Sequence, residues 1–218
     1  MSGGGAQRQP KHSRELAALL VLAGLGLVGS GIAPYHRVTW AAEVAPAVLA
    51  AVLLIATRRR FPLTPLAYRL IFVHALILML GGHYTYARVP LGEWLQDALG
   101  LARNHYDRVG HFTQGFVPVI LAREVLLRTS PLRPGRWLAF LSVCIVLAAS
   151  AFYELIEWWA SLIAGVAAES FLGTQGDVWD TQWDMFLCLL GAALALALLS
   201  RRHDRARALQ AAAGNNKR

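Results

Sequence analysis

Apolar runs at residues 16–33, 40–57, 66–82, 109–127, 137–160 and 182–200 constrain this 218-residue chain more than any other feature. Crossing about 30 Å of hydrocarbon takes roughly 20 apolar residues in a helix, and inside hydrocarbon the backbone must bond to itself. The runs therefore predict an all-α, polytopic bundle of six transmembrane helices. A hydrophobic content of 56% and a mean hydropathy of +0.43 fit that class rather than a soluble domain. Short connections predict one membrane domain over residues 16–204, with mobile cytoplasmic tails at 1–15 and 205–218. The first run is long for the core of a cleaved signal peptide and is expected to stay as an anchor. The third and fourth are the least apolar, because Arg69, His74, His111 and Arg123 interrupt them or lie at their ends.

Basic residues orient the bundle. With the N-terminus in the cytoplasm, 17 of the 21 Lys and Arg residues fall on inner segments, leaving Arg37, Arg88, Arg103 and Arg108 outside. That bias predicts a multi-pass protein of a bacterial inner membrane with both termini cytoplasmic. It also accounts for the net charge of +8. Nucleic acid is excluded as a partner, since the charge lies in clusters beside the membrane rather than on a reading face with aromatic groups. Cys144 and Cys188 fall inside apolar runs with no CxxC spacing, so they read as reduced packing residues.

Polar chemistry gathers at the outer ends of the spans. Glu154 and Glu157, three apart and so on one helical face, end an otherwise apolar run. A carboxylate there costs about 2.5–3.5 kcal/mol on insertion scales, so the pair needs a proton, a cation or several donors to compensate it. Asp107 and His111 lie four apart, with Gln114 one turn deeper, and Asp177, Asp180 and Asp184 repeat at helical offsets. The candidate catalytic set is Glu154, Glu157, His111, Asp107, Asp180 and Asp184; a divalent cation would fall to His111, Glu154, Glu157 and Asp180. His83, Tyr84, Asn104, His105, Gln114 and Asp177 are placed around it in support.

The connection from Gly82 to Arg108 is too long for a turn. Leu91, Trp94, Leu95, Ala98 and Leu99 give it helical apolar spacing, which predicts a short interfacial helix between the third and fourth spans. It would hold His83 and His105 over the bundle mouth. Two local readings compete with a site: Asp107 as the N-cap of the fourth span, and Thr181–Asp184 as a capping box for the sixth. His74 reads as a satisfied contact within the bundle.

No His-Glu-x-x-His or Gly-x-Ser-x-Gly motif is present, and Thr174 stands where the Gly-x-Gly-Asp of intramembrane aspartyl proteases needs glycine. What the chain does carry is Arg60-Phe61-Pro62-Leu63-Thr64-Pro65, Gly81-Gly82-His83-Tyr84-Thr85-Tyr86, Arg103-Asn104-His105-Tyr106-Asp107-Arg108, Gly110-His111-Phe112, Phe152-Tyr153-Glu154, Glu157-Trp158 and the stretch 173–185. These resemble the YjdF family of bacterial inner-membrane proteins from about Leu16 to Asp204. The resemblance implies the class and the location and leaves the reaction open. A looser similarity runs to VanZ-like membrane proteins, whose pattern is matched by Asp107-Arg108 with His111-Phe112, by Glu154 with Glu157, and by Asp180 with Asp184. Asp184 stands where that pattern has asparagine, and Glu157 where it tends to have glutamine. That similarity implies a connection to the cell envelope.

Two function classes remain. One is a membrane-embedded enzyme performing metal-assisted or acid–base hydrolysis or transfer on a lipid-linked or envelope substrate at the outer leaflet. The other is a proton- or cation-coupled transporter using the glutamate pair. A transporter also needs polar groups continuing inward, and the sequence offers only His74, Glu43 and Glu124, the last two near helix ends.

Overall fold

The computed structural model describes residues 11–164 and 174–215, which form eight α-helices and one short 3-10 turn. They are α1 (Lys11–Ser30), α2 (Arg37–Thr57), α3 (Pro65–Tyr84), α4 (Pro90–Leu99), α5 (Tyr106–Phe116), α6 (Pro118–Thr129), α7 (Arg136–Ala164) and α8 (Asp180–Asn215). The expected mobility of residues 1–10, and Gly173 of the protease comparison, lie outside the described residues. Helices α1, α2, α3, α7 and α8 are each long and apolar enough to cross a bilayer.

The fourth crossing is built differently from the single helix expected. Pro118 has no N–H to donate and its ring displaces the carbonyl four residues back, so the helix breaks at Val117 and resumes as α6. Together α5 and α6 cover about 36 Å at 1.5 Å per residue, enough for one passage. This passage is the least apolar because it is the innermost: Val119 and Ile120 are fully buried, and α7 and α8 pack around it.

Helices α5 and α8 approach at backbone distance. A Cβ on Gly115 would overlap the carbonyl oxygen of Cys188, and one on Gly191 would overlap that of Phe112. Small residues at a membrane helix crossing allow this contact, and dispersion then holds it. Gly115→Ala should therefore cost at least about 1–3 kcal/mol, because backbone must move to admit the methyl group. Gly24→Ala, where a Cβ meets nothing within 4 Å, should be tolerated; thermal unfolding of the two variants in detergent checks the contrast.

The face that carries the chain ends is pinned by a buried polar network. Glu124 accepts from the Thr64 backbone N–H (2.9 Å), the Thr64 hydroxyl (2.8 Å) and His203 Nε2 (3.0 Å). Arg123 donates to His203 Nδ1 at 2.7 Å and pairs with Asp204. Arginine cannot accept, so Nδ1 must, which fixes His203 as the neutral tautomer with its proton on Nε2 facing Glu124. The start of α3, the middle of α6 and late α8 are thereby tied together. Beyond its apolar stretch α8 runs on to Asn215, and Gln210 donates to the Pro62 carbonyl.

At the opposite face, α4 is the interfacial helix the sequence predicts. Leu91, Trp94, Leu95 and Leu99 are all exposed on it, an apolar stripe suited to headgroup depth. The loop of residues 101–105 packs down over the bundle. Asn104, wholly buried, donates to the Val89 carbonyl, accepts from the Tyr106 N–H and exchanges backbone bonds with the Gln175 amide.

Candidate functional site

Helices α5, α7 and α8 each deliver acidic or imidazole groups to one buried spot under that loop. Asp107, His111, Glu154, Glu157, Asp180 and Asp184 are all less than 9% exposed. His111 Nε2 lies 3.6 Å from Asp107 and 3.9 Å from Asp184, while Nδ1 lies 3.7 Å from Glu154. These gaps exceed a hydrogen bond. His111 Nδ1, Glu154 Oε1 and Asp184 Oδ1 are buried with no hydrogen-bond partner among the described residues. Asp107, His111 and Asp184 each bring a donor atom within 4.8 Å of the others.

Arg103 organises the rim. It donates to Asp180 in a very short contact, reaches Asp177 at 3.5 Å and faces Asp107 at 3.8 Å. Arg108 holds Asp177 at 2.8 Å and stacks over the Trp183 ring. Among the described residues, six buried carboxyl groups at this end of the bundle, counting Glu43, are set against one buried guanidinium, Arg103, and one imidazole, His111. So large an excess of acid requires protons or a cation.

Beneath the cluster lies a cavity of about 80 Å³ lined by Asp107, His111, Glu157, Glu43, Tyr153 and His74, with Gln114 also on its wall. Tyr153 donates to Glu43 at 3.3 Å, tying α7 to α2. His74 Nε2 has no hydrogen-bond partner among the described residues. At about 30 Å³ of liquid volume per molecule, such a space has room for two or three waters beside these polar groups.

The structure separates the supporting residues. Asp177 joins the arginines, Gln114 lines the cavity, and Asn104 staples the loop. His105 lies at the loop surface, where partial burial, then the Arg108 and Arg103 guanidiniums, hold its imidazole below the usual histidine range. His83 is elsewhere: its Nδ1 donates to the Ser30 carbonyl at 2.8 Å and its ring meets Tyr84 edge-on, tying α3 to the end of α1. Asp107 does not cap α5; His105 occupies that position without a side-chain bond, and the Asp107 carboxyl turns into the site. Nor is Thr181–Asp184 a capping box, since α8 already begins at Asp180 and the Asp177 carboxyl caps the preceding turn at Trp179 N.

Arg103, Tyr153 and Gln175 are contributors that sequence reasoning passed over, and Glu43 entered it only as a step on an inward path. A signal for Arg103 existed: three aspartates at 177, 180 and 184 need a cation, and only four basic residues fall on that face.

The model of a family described as "Predicted membrane protein (DUF2238)" matches residues 15–205. The chain is 55% identical over 179 residues to "Inner membrane protein YjdF" of Escherichia coli (strain K12), covering 82% of this chain and 86% of that protein. No solved structure matches it.

Proposed function

We propose, for a chain that belongs to the DUF2238 family of predicted membrane proteins, a divalent-cation site at the outer face that performs hydrolysis or group transfer on a lipid-linked or cell-envelope substrate. One observation carries the reading: a buried imidazole nitrogen faces two carboxyl groups at 3.6 and 3.9 Å, too far for a hydrogen bond to either. Ligand atoms about 2.1 Å from a tetrahedral metal stand roughly 3.4 Å apart, so a small contraction closes this set around an ion. His111 Nε2, Asp107 and Asp184 are the ligands. Glu154 accepts the Nδ1 proton and orients the ring, the usual carboxylate–histidine–metal arrangement. Glu157, on the wall of the adjoining water-sized cavity, is the general base. Arg103 is paired with Asp180 and Asp177, which would leave these two carboxylates out of the ligand set.

To test this, protein in nanodiscs is incubated with an envelope lipid extract, and products are followed by mass spectrometry. A product that is lost with chelator and with Glu157→Gln supports the reading; identical product profiles with and without protein contradict it. The same cavity gives the transport alternative its support, since Glu43 and His74 carry polar groups toward the bundle interior. Proteoliposomes that dissipate a proton or cation gradient, and lose this with Glu43→Gln, would select transport instead.

The orientation assumed here rests on the basic-residue bias. Reporter fusions after Arg59, Leu99, Pro134 and Gly173 should read in, out, in, out. A periplasmic C-terminus would move the site to the cytoplasmic leaflet.

A further inference from the structure

Helix α1 leans on α3, and at the outer end it also meets α2. There Trp40 Nε1 donates to the Ser30 hydroxyl at 3.1 Å, and the Trp40 ring sits so close to Gly31 that a Cβ would approach it at 2.9 Å. From that closed end the two helices diverge. Between α1, α2 and the face of α3 lies an apolar slot of about 470 Å³, walled by residues such as Leu20, Gly24, Ala51, Ile55, Phe72 and Met79. Its lining runs on α1 from Ser13 to Leu27, about 21 Å at 1.5 Å per residue. One leaflet of hydrocarbon is about 15 Å deep, so the slot takes a full acyl chain lengthwise.

Its open end is charged with one sign. Arg58 lines the slot, and Arg14, Arg59 and Arg60, all exposed, lie at the same ends of α1 and α2. Glu15, the only carboxylate of α1, is taken up by Arg69 of α3. We infer that the slot between α1, α2 and α3 binds one acyl chain of an anionic glycerophospholipid from the leaflet facing the chain termini, with the lipid phosphate at Arg58. Basic groups near a membrane surface attract anionic headgroups. The closed outer end excludes entry from the other leaflet, and the narrowness of a slot, against a flat face, suits a chain rather than a helix of a second copy.

Native mass spectrometry of the full chain, offered equal phosphatidylglycerol and phosphatidylcholine, tests this. The expected result is one phosphatidylglycerol retained at least about tenfold over phosphatidylcholine. Gly24→Phe fills open space on a helix, so the fold survives while retention falls at least about tenfold. Arg58→Gln should keep retention of lipid but lower the preference for phosphatidylglycerol. Equal retention of the two lipids, no retained lipid, undiminished retention in folded Gly24→Phe, or dimers that Gly24→Phe dissolves would each overturn the assignment.

Discussion

Arg103→Met should lower stability by about 3–5 kcal/mol, the cost of stripping a buried charge network of its counter-ion. The Arg103 side chain is 7% exposed and faces Asp107, Asp177 and Asp180 together. Without it, three carboxyl groups on two segments of the chain lose their common partner, and the loop before α5 loses its tie to the start of α8. Lysine should rescue little, because one ammonium cannot face carboxylates on three sides as a planar guanidinium does. Two controls separate charge from packing. The deficit should shrink as the pH falls and the stranded aspartates take up protons, and Asp180→Asn should recover part of it in the double variant. Thermal unfolding across a pH series reads all three; a uniform deficit at every pH would make Arg103 a packing residue.

His111→Leu should abolish divalent-cation binding while leaving the protein folded. Leucine fills a similar volume and carries no unsatisfied nitrogen, so the apo protein loses little. Glu154→Gln acts one step removed. It leaves the ligands in place and weakens the orientation of the ring, which should cost about 10–100-fold in affinity with stoichiometry kept. Asp184→Asn should be milder than His111→Leu, since asparagine still offers an oxygen and removes a buried charge. Metal-dependent stabilisation follows RT ln(1 + [M]/Kd), so the shift in unfolding temperature with added metal should be largest in the unmodified protein and absent in His111→Leu. Equal shifts in the two would show that the ion binds elsewhere.

The spans are legible in the sequence because hydrophobic length is a one-dimensional property. The break in the fourth is not read from length, since its signal is the single proline at 118 inside an otherwise continuous run. The glutamates of α7 are legible for a different reason: a carboxyl group in an apolar run has no cheap local explanation. Asp107 and Asp184 do have local explanations, as caps, and the structure turns both side chains inward instead. Arg103 enters the sequence reading in an orientation count and a family motif but with no role in the site, since its partners lie 74 and 77 residues away and no local pattern links them. Glu43 reaches the site from α2 through Tyr153, across 110 residues. The Glu124–His203 network is hidden for the same reason, with its basic members absorbed into the positive-inside signal. Period and length define the helices; which faces meet depends on the Gly115 and Gly191 contacts and on charge pairs between distant segments.

Metal content reports whether Asp107, His111 and Asp184 hold one ion. Protein stripped with chelator, shown to be folded, and dialysed against a mixture of divalent transition metals should retain about one equivalent by elemental analysis, with His111→Leu retaining none. Folded wild-type protein that takes up no metal, or a His111→Leu variant that takes up as much, would contradict the account.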